Sequence, residues 1–233
     1  CSLTCKFCAT GQMERIRNLD AAEVFDQYNE VNKQSMERYG HPLTNVVYMG
    51  MGEPLLNYSN TMESIRMLTS AEGLNISPKR ITVSTAGIAK MIRRMADEDT
   101  KVNLALSLHA ADDKKRDMIM PINEQNNLEV LMEALKYFYA KTGSKISFEY
   151  IAFKNFNDGI EDAKKLVKLC KSFPVKVNII EYNPIEGLDF AKSDEDAINQ
   201  FALYLRKHDV MCTIRRSRGK DIDAACGQLA NKE

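Results

Sequence analysis

Neither sign of charge is in excess in this chain: lysine plus arginine and aspartate plus glutamate each total 32, so the formal net charge is zero. That excludes binding of a polyanion by bulk electrostatics, and any nucleic-acid contact must be a local basic patch. No apolar run reaches the length that a membrane-spanning helix needs, which argues against a membrane protein. The first residues are polar and cysteine-rich, unlike a secretory signal. A second Cys-x-x-Cys pair is missing, and a four-ligand structural zinc site would need one. The six cysteines also lack the dispersed pattern of a small disulfide-stapled domain. Cys170, Cys212 and Cys226 stand alone, and this usage predicts a reducing cytoplasm. No internal repeat, low-complexity stretch or linker is visible. With 233 residues, 44% apolar and 27% charged, the chain has the composition of a globular protein with a sizeable core.

What the chain does hold is densest at its start. Cys1, Cys5 and Cys8 fall within the single stretch CSLTCKFC, in a Cys-x-x-x-Cys-x-x-Cys pattern. Thiolates are natural ligands of iron–sulfur clusters. Three of them can satisfy three irons of a [4Fe–4S] cluster and leave the fourth iron open to a small molecule. The plainer readings are three ordinary cysteines or a partial zinc site.

Downstream, β-branched runs alternate with amphipathic stretches. Residues 44–50 (TNVVYMG), 80–87 (RITVSTAG), 102–110 (VNLALSLHA), 145–153 (KISFEYIAF), 175–184 (VKVNIIEYNP) and 211–217 (MCTIRRS) read as strands. Between them, helical stripes run through Met62, Ile65 and Leu68; through Ile88, Met91, Ile92 and Met95; through Leu128, Leu131, Leu135 and Phe138; through Ile160, Ala163, Leu166, Val167 and Cys170; and through Ile198, Phe201, Ala202 and Leu205. Gly73 and Gly143 are expected helix stops and Ser193 an N-cap. Strict β–α alternation predicts parallel strands with crossover helices. In such folds ligands gather at the carboxyl ends of the strands. The segments GMGEP, STAG, SLHA and EYNP fall there, although each taken alone could be an ordinary turn.

With GMGEPLLN, STAG, SLHA, EYNP and RRSRGKDIDAACGQL in this order after the cysteines, the chain resembles the radical-SAM adenine-C2 RNA methyltransferases. These are dual-specificity enzymes that modify 23S rRNA and tRNA using S-adenosylmethionine (SAM). The resemblance covers nearly the whole chain, and a relative that methylates C8 of the same adenine shares much of the pattern. It implies an α/β fold: a partial, open radical-SAM-type (β/α) barrel with outer helices. Cys1, Cys5 and Cys8 would bind a [4Fe–4S] cluster. Gly52 and Glu53 would meet the methionine amino end of SAM, with Ser84, Ser107, Leu108, His109 and Asn183 lining the rest of its pocket. Cys226 would be the catalytic cysteine: methylated by one SAM, it becomes a carbon radical that adds to C2 of adenine. An electron donor such as flavodoxin or ferredoxin is implied, and a monomer.

The family also places a small RNA-binding domain, a first barrel strand, a resolving cysteine and a general-base glutamate upstream of Cys1. The chain does not begin with Met and reads as the catalytic core, residues 1–233, of a longer protein. The strand at residues 46–50 should therefore have one unpaired edge. Arg215, Arg216, Arg218 and Lys220 form the best local phosphate contact, or else a solvated face. Cys170 and Cys212 are expected in the core, and His109 is either a structural histidine or a pocket residue. The rival readings are the C8-methylating relative and a non-catalytic metal- or RNA-binding module.

Overall fold

Six short, largely apolar runs become six parallel strands, and each of the first five is followed by a segment carrying a helix that brings the chain back to the start of the next. A computed structural model describes residues 1–217. The strands are β1 (Val46–Tyr48), β2 (Ile81–Thr85), β3 (Asn103–Ser107), β4 (Ile146–Ala152), β5 (Val175–Glu181) and β6 (Cys212–Arg215). They form one sheet in the order β1-β2-β3-β4-β5-β6. β1 pairs only with β2 among the described residues, so the expected open edge is borne out. The helices are α1 (Ala21–Tyr39), α2 (Tyr58–Thr69), α3 (Ala89–Asp97), α4 (Asp113–Ile119), α5 (Leu128–Thr142), α6 (Ile160–Cys170) and α7 (Glu195–Lys207).

Sequential order with crossovers of one hand places the helices on one face of the sheet. The register shows that face directly: Thr85, Leu106, Phe148, Val177 and Cys212 lie in one row across β2 to β6. All five are buried, and the four apolar ones join a single core with Ile92, Met95, Leu131, Phe138, Leu166 and Phe201 from the helices. The adjoining row on the other face is polar: Ser107, Glu149, Asn178 and Thr213. Three of its members bond to one another, Asn178 Nδ2 to Glu149 Oε1 at 2.7 Å and Thr213 Oγ1 to Asn178 Oδ1 at 2.8 Å. A second helix layer could not cover such a row without leaving polar groups to desolvate. The inner face therefore lines the lumen of an open barrel.

Two helices exceed the sequence expectation. α1 carries a capping box: Asp20 accepts from the Glu23 amide and Glu23 accepts from the Asp20 amide, both at 2.9 Å. α4 lies in what reads as a polar loop, started by Asp112, whose carboxylate accepts from the Lys115 amide at 3.0 Å. Two boundaries move. Helix α2 ends at Thr69, ahead of Gly73. Asp194, not Ser193, is the N-cap of α7, because the Ser193 hydroxyl is spent on Asp158 at 2.7 Å. Helix α5 stops at Gly143 as expected. Cys212 is buried, and Cys170 is half-buried against the core.

Arg116 on α4 is fully buried. Its guanidinium donates to the carbonyls of Leu108 (3.2 Å), Ser107 (3.4 Å) and Ala86, and to Oδ1 of Asn123. One side chain thus joins the ends of β2 and β3 to α4. Arg116→Met should leave those acceptors unpaired and lower stability by roughly 3 kcal/mol or more, read as the shift in urea midpoint of the metal-free protein. A loss under about 1 kcal/mol would show that the strand ends hold without it.

Candidate functional site

A cavity of about 170 Å³ opens at the carboxyl ends of β1, β2 and β3. The cysteine loop forms one wall, with Cys1, Leu3, Cys5, Phe7, Cys8, Thr10 and Gly11. Strand ends form the other, including Gly52, Glu53, Ser84, Ser107 and His109. All three cysteines and five of the residues expected at a SAM pocket therefore share one cavity.

The cysteine loop is tightly turned. The Cys8 amide donates to the Cys5 carbonyl at 3.2 Å and the Gly11 amide to the Cys8 carbonyl at 2.9 Å. A Cβ on Gly11 would lie 2.8 Å from the Cys5 carbonyl oxygen, so only glycine lets the loop fold back on itself. The loop rests on α4 through a 3.0 Å bond from the Lys6 amide to the Ile119 carbonyl. Phe7 is driven inward beside Ile119, Met120 and Phe153, and meets the His109 ring edge-on at 4.8 Å. Burial, reinforced by the neighbouring Cys8, pushes the Cys5 thiol up to about 12.

On the opposite wall Gly52 has φ +94°, a left-handed turn that a side chain would strain. Glu53 follows, and its carboxylate accepts from the Leu55 amide at 3.0 Å and the Ala86 amide at 2.7 Å. It joins the turn after β1 to the end of β2. Burial raises its pKa against the opposing pull of those two amides. His109 also sits at a positive φ, +54°. Its Nδ1 accepts from the Ile151 amide at 3.1 Å, which leaves the ring hydrogen on Nε2. Burial, aided by the Arg116 charge, lowers its pKa to about 3. The imidazole is therefore neutral.

Other expected site residues fall elsewhere. The Leu108 side chain lies in the core. Asn183 is two residues beyond β5 and is not on the cavity wall. Arg215, at the end of β6, approaches buried Glu149 at 3.4 Å, and Arg216 pairs with Glu195 on the surface. Arg218, Lys220 and Cys226 lie outside the described residues.

The family model of the Radical SAM superfamily matches residues 1–170. The chain is 58% identical over 233 residues to the probable dual-specificity RNA methyltransferase RlmN of Cytophaga hutchinsonii, covering 100% of this chain and 64% of that protein. The corresponding protein of Flavobacterium johnsoniae is 53% identical over 233 residues, with 67% of its length covered. The chain belongs to the radical SAM superfamily, within its dual-specificity RNA methyltransferase family. It is also similar to the crystal structure of a radical SAM methyltransferase from Sphaerobacter thermophilus, with a TM-score of 0.93 at 40% identity over 97% of this chain and 66% of that one. The chain spans about two thirds of the length of these relatives.

The cofactors of that family are a [4Fe–4S] cluster and SAM, and the donor set fits them. Among the described residues no three cysteine, histidine or acidic side chains converge on a point that could hold a single ion. A cluster gives each thiolate its own iron and needs the sulfurs spread around a larger body, as three cysteines around one cavity are. Thr10 Oγ1, buried in the same wall, has no hydrogen-bond partner. A buried hydroxyl without a partner in the protein, on a residue of the cavity wall, suits a site completed by an acceptor-rich occupant.

Several wall residues escape a sequence reading. Gly11 could have been suspected as a glycine so soon after the third cysteine. Thr10 and Phe7 give no sequence signal, since their roles come from which way the loop turns. Arg116 reads as one cation in the charged run DDKKRD, and only its burial distinguishes it.

The neutral His109 makes stability depend on pH. Its folded pKa lies below the ordinary histidine value of 6.5, so the unfolded chain binds a proton that the folded one refuses. Stability present above pH 6.5 is lost as pH falls toward 3. His109→Asn keeps an acceptor for Ile151 and tolerates the positive φ. Between pH 6.5 and 5 the metal-free wild type should lose about 1.5 kcal/mol more than this variant in urea unfolding. Parallel curves would show that His109 is protonated in the fold.

Proposed function

We propose that this chain is the catalytic core of an enzyme that methylates C2 of adenine in 23S rRNA and tRNA. The observation that carries the reading is the single cavity that sets Cys1, Cys5 and Cys8 opposite Glu53, Ser84, Ser107 and His109. When bound, the cluster and SAM supply reductive cleavage of a carbon–sulfur bond and a 5′-deoxyadenosyl radical. The protein's work is binding, orientation and charge. Cys1, Cys5 and Cys8 hold three irons. Gly52 turns the backbone into the pocket, and Glu53 brings a carboxylate there suited to an ammonium group. Because both its oxygens already accept backbone amides, that carboxylate is held rigid.

Ser84 and Ser107 offer hydroxyls at adjacent strand ends, and neutral His109 offers an Nε2 hydrogen without adding positive charge. Cys226 carries the methyl group as a covalent intermediate. Adenine C2, flanked by two ring nitrogens, is too electron-poor to attack an electrophilic methyl, so the new bond needs a carbon radical on that sulfur. Arg216 pairs with Glu195 across an exposed surface, a contact weak enough to exchange for RNA phosphate. Arg215 stays with buried Glu149, and Arg218 and Lys220 extend the basic run. The finer partners in this reading are a flavodoxin or ferredoxin as electron donor, with a monomer working in the cytoplasm. Among the described residues no helix is long and apolar enough to cross a membrane.

The test is nucleoside mass spectrometry after anaerobic reconstitution with iron and sulfide and incubation with SAM, a one-electron reductant and RNA. Expected from the parent protein, which carries the upstream resolving cysteine and glutamate that the resemblance implies, are 2-methyladenosine from the wild type, no methylated base from Cys226→Ala, and loss of bound iron from Cys5→Ala. A product of 8-methyladenosine would move the chain to the C8 reaction. An iron-loaded protein that never cleaves SAM would make it a binding module.

A further inference from the structure

We propose that the Thr10 hydroxyl is a built-in hydrogen-bond donor to the sulfur-rich cluster held by Cys1, Cys5 and Cys8, and that it raises the cluster's reduction potential. The proposal rests on the cluster reading above. Thr10 is 4% exposed and forms part of the cavity wall, yet its Oγ1 is buried without a hydrogen-bond partner. Its carbonyl already accepts from the Met13 amide at 3.3 Å. Threonine in a turn ordinarily bonds a nearby backbone group, and this one does not. A buried, unpaired polar group is destabilising, and valine would fill the same volume without that penalty. The hydroxyl therefore opposes the stability of the empty protein, which points to an acceptor brought by whatever fills the cavity.

Position selects which occupant. Thr10 lies in the cysteine loop, two residues after Cys8, and lines the same cavity as the three cysteines. The polar groups suited to SAM, those of Glu53, Ser84, Ser107 and His109, come from the strand ends and the turns that follow them, not from the cysteine loop. Sulfur in a cluster or its thiolates is a soft but anionic acceptor. An O–H donated to it draws electron density from the iron–sulfur core and favours the more negative, reduced state. No proton is transferred. The electron comes from an external one-electron donor, and only the ease of accepting it changes.

Thr10→Val and Thr10→Ser test this against the wild type, both metal-free and after anaerobic reconstitution with iron and sulfide. Metal-free Thr10→Val should unfold at the same or a higher urea concentration. Reconstituted Thr10→Val should bind the same amount of iron, with its midpoint potential shifted negative in a dithionite titration without SAM. Thr10→Ser should keep the wild-type potential. An unchanged potential in Thr10→Val overturns the proposal. If SAM binding by equilibrium dialysis is weakened instead, the hydroxyl belongs to SAM and not to the cluster. A metal-free Thr10→Val less stable than the wild type also overturns it, because the hydroxyl would then have a structural partner. A wild-type protein that assembles no cluster would remove the proposed function itself, and this proposal with it, whereas a loaded wild type with an unmoved variant defeats this proposal alone.

Discussion

One buried cation organises the business end of this fold. The Arg116 guanidinium is sealed from water and bound to three strand-end carbonyls, those of Ala86, Ser107 and Leu108. Burial lowers its pKa to about 10, with Cys5, Asp113 and Asp117 pulling the other way. Carbonyl dipoles and an amide oxygen replace the water it has lost, and a buried charge is tolerable only when its donors are so filled. Asn123 fixes the guanidinium from the far side and is itself held by Asp113 Oδ1 at 2.9 Å and Asp117 Oδ1 at 2.6 Å. The two acids are thus linked to the cation through a neutral amide. Since α4 also accepts the amide of Lys6, the same short helix couples the cysteine wall to the SAM-side wall.

The two faces of the sheet divide the remaining labour. The helix side supplies stability through a continuous row of buried residues, from Thr85 to Cys212. The lumen side carries Ser107, Glu149, Asn178 and Thr213, of which the last three are tied together by side-chain hydrogen bonds, and it gives up apolar burial for a polar interior. Glu149 also fixes β3, its carbonyl accepting the amides of Leu108 and His109 at 3.0 and 3.2 Å. That pairing helps to turn His109 into its left-handed conformation. Lumen chemistry and pocket geometry are therefore parts of one backbone network.

Much of this was legible in the sequence, for identifiable reasons. The strands could be read because short apolar runs such as ITVST and ISFEYIA are bounded by turn signals and alternate with longer amphipathic stretches. The segments holding Gly52, Glu53, Ser84, Ser107 and His109 could be gathered at one site because parallel order forces strand ends to one side, whereas the cysteines were joined to that site by the family resemblance. α4 was not legible: DKKRDMI shows no apolar stripe, since the residue that buries deepest is its arginine. Ser193 misled because hydroxyl identity alone cannot tell a cap from a partner for Asp158. Leu108 sits between two pocket residues, yet strand alternation turns its side chain to the core, so a motif taken as a block overstates which of its side chains face the cavity.

Charge placement around the cavity follows from the same constraint. A site that gathers three thiolates concentrates negative charge once metal replaces their protons. The fold sets one permanent cation nearby, Arg116, and fixes it on backbone carbonyls instead of pairing it with a carboxylate. That leaves its field acting on the cavity: Cys5 and His109 both feel it, the thiol pulled down against burial and the imidazole kept neutral. A carboxylate in direct contact would have cancelled that field, and an exposed arginine would have lost it to solvent screening. Burial on neutral acceptors is the arrangement that both anchors the strand ends and keeps a positive potential under the cysteines. The helix that sequence patterning conceals is for this reason the one on which the site's electrostatics depends.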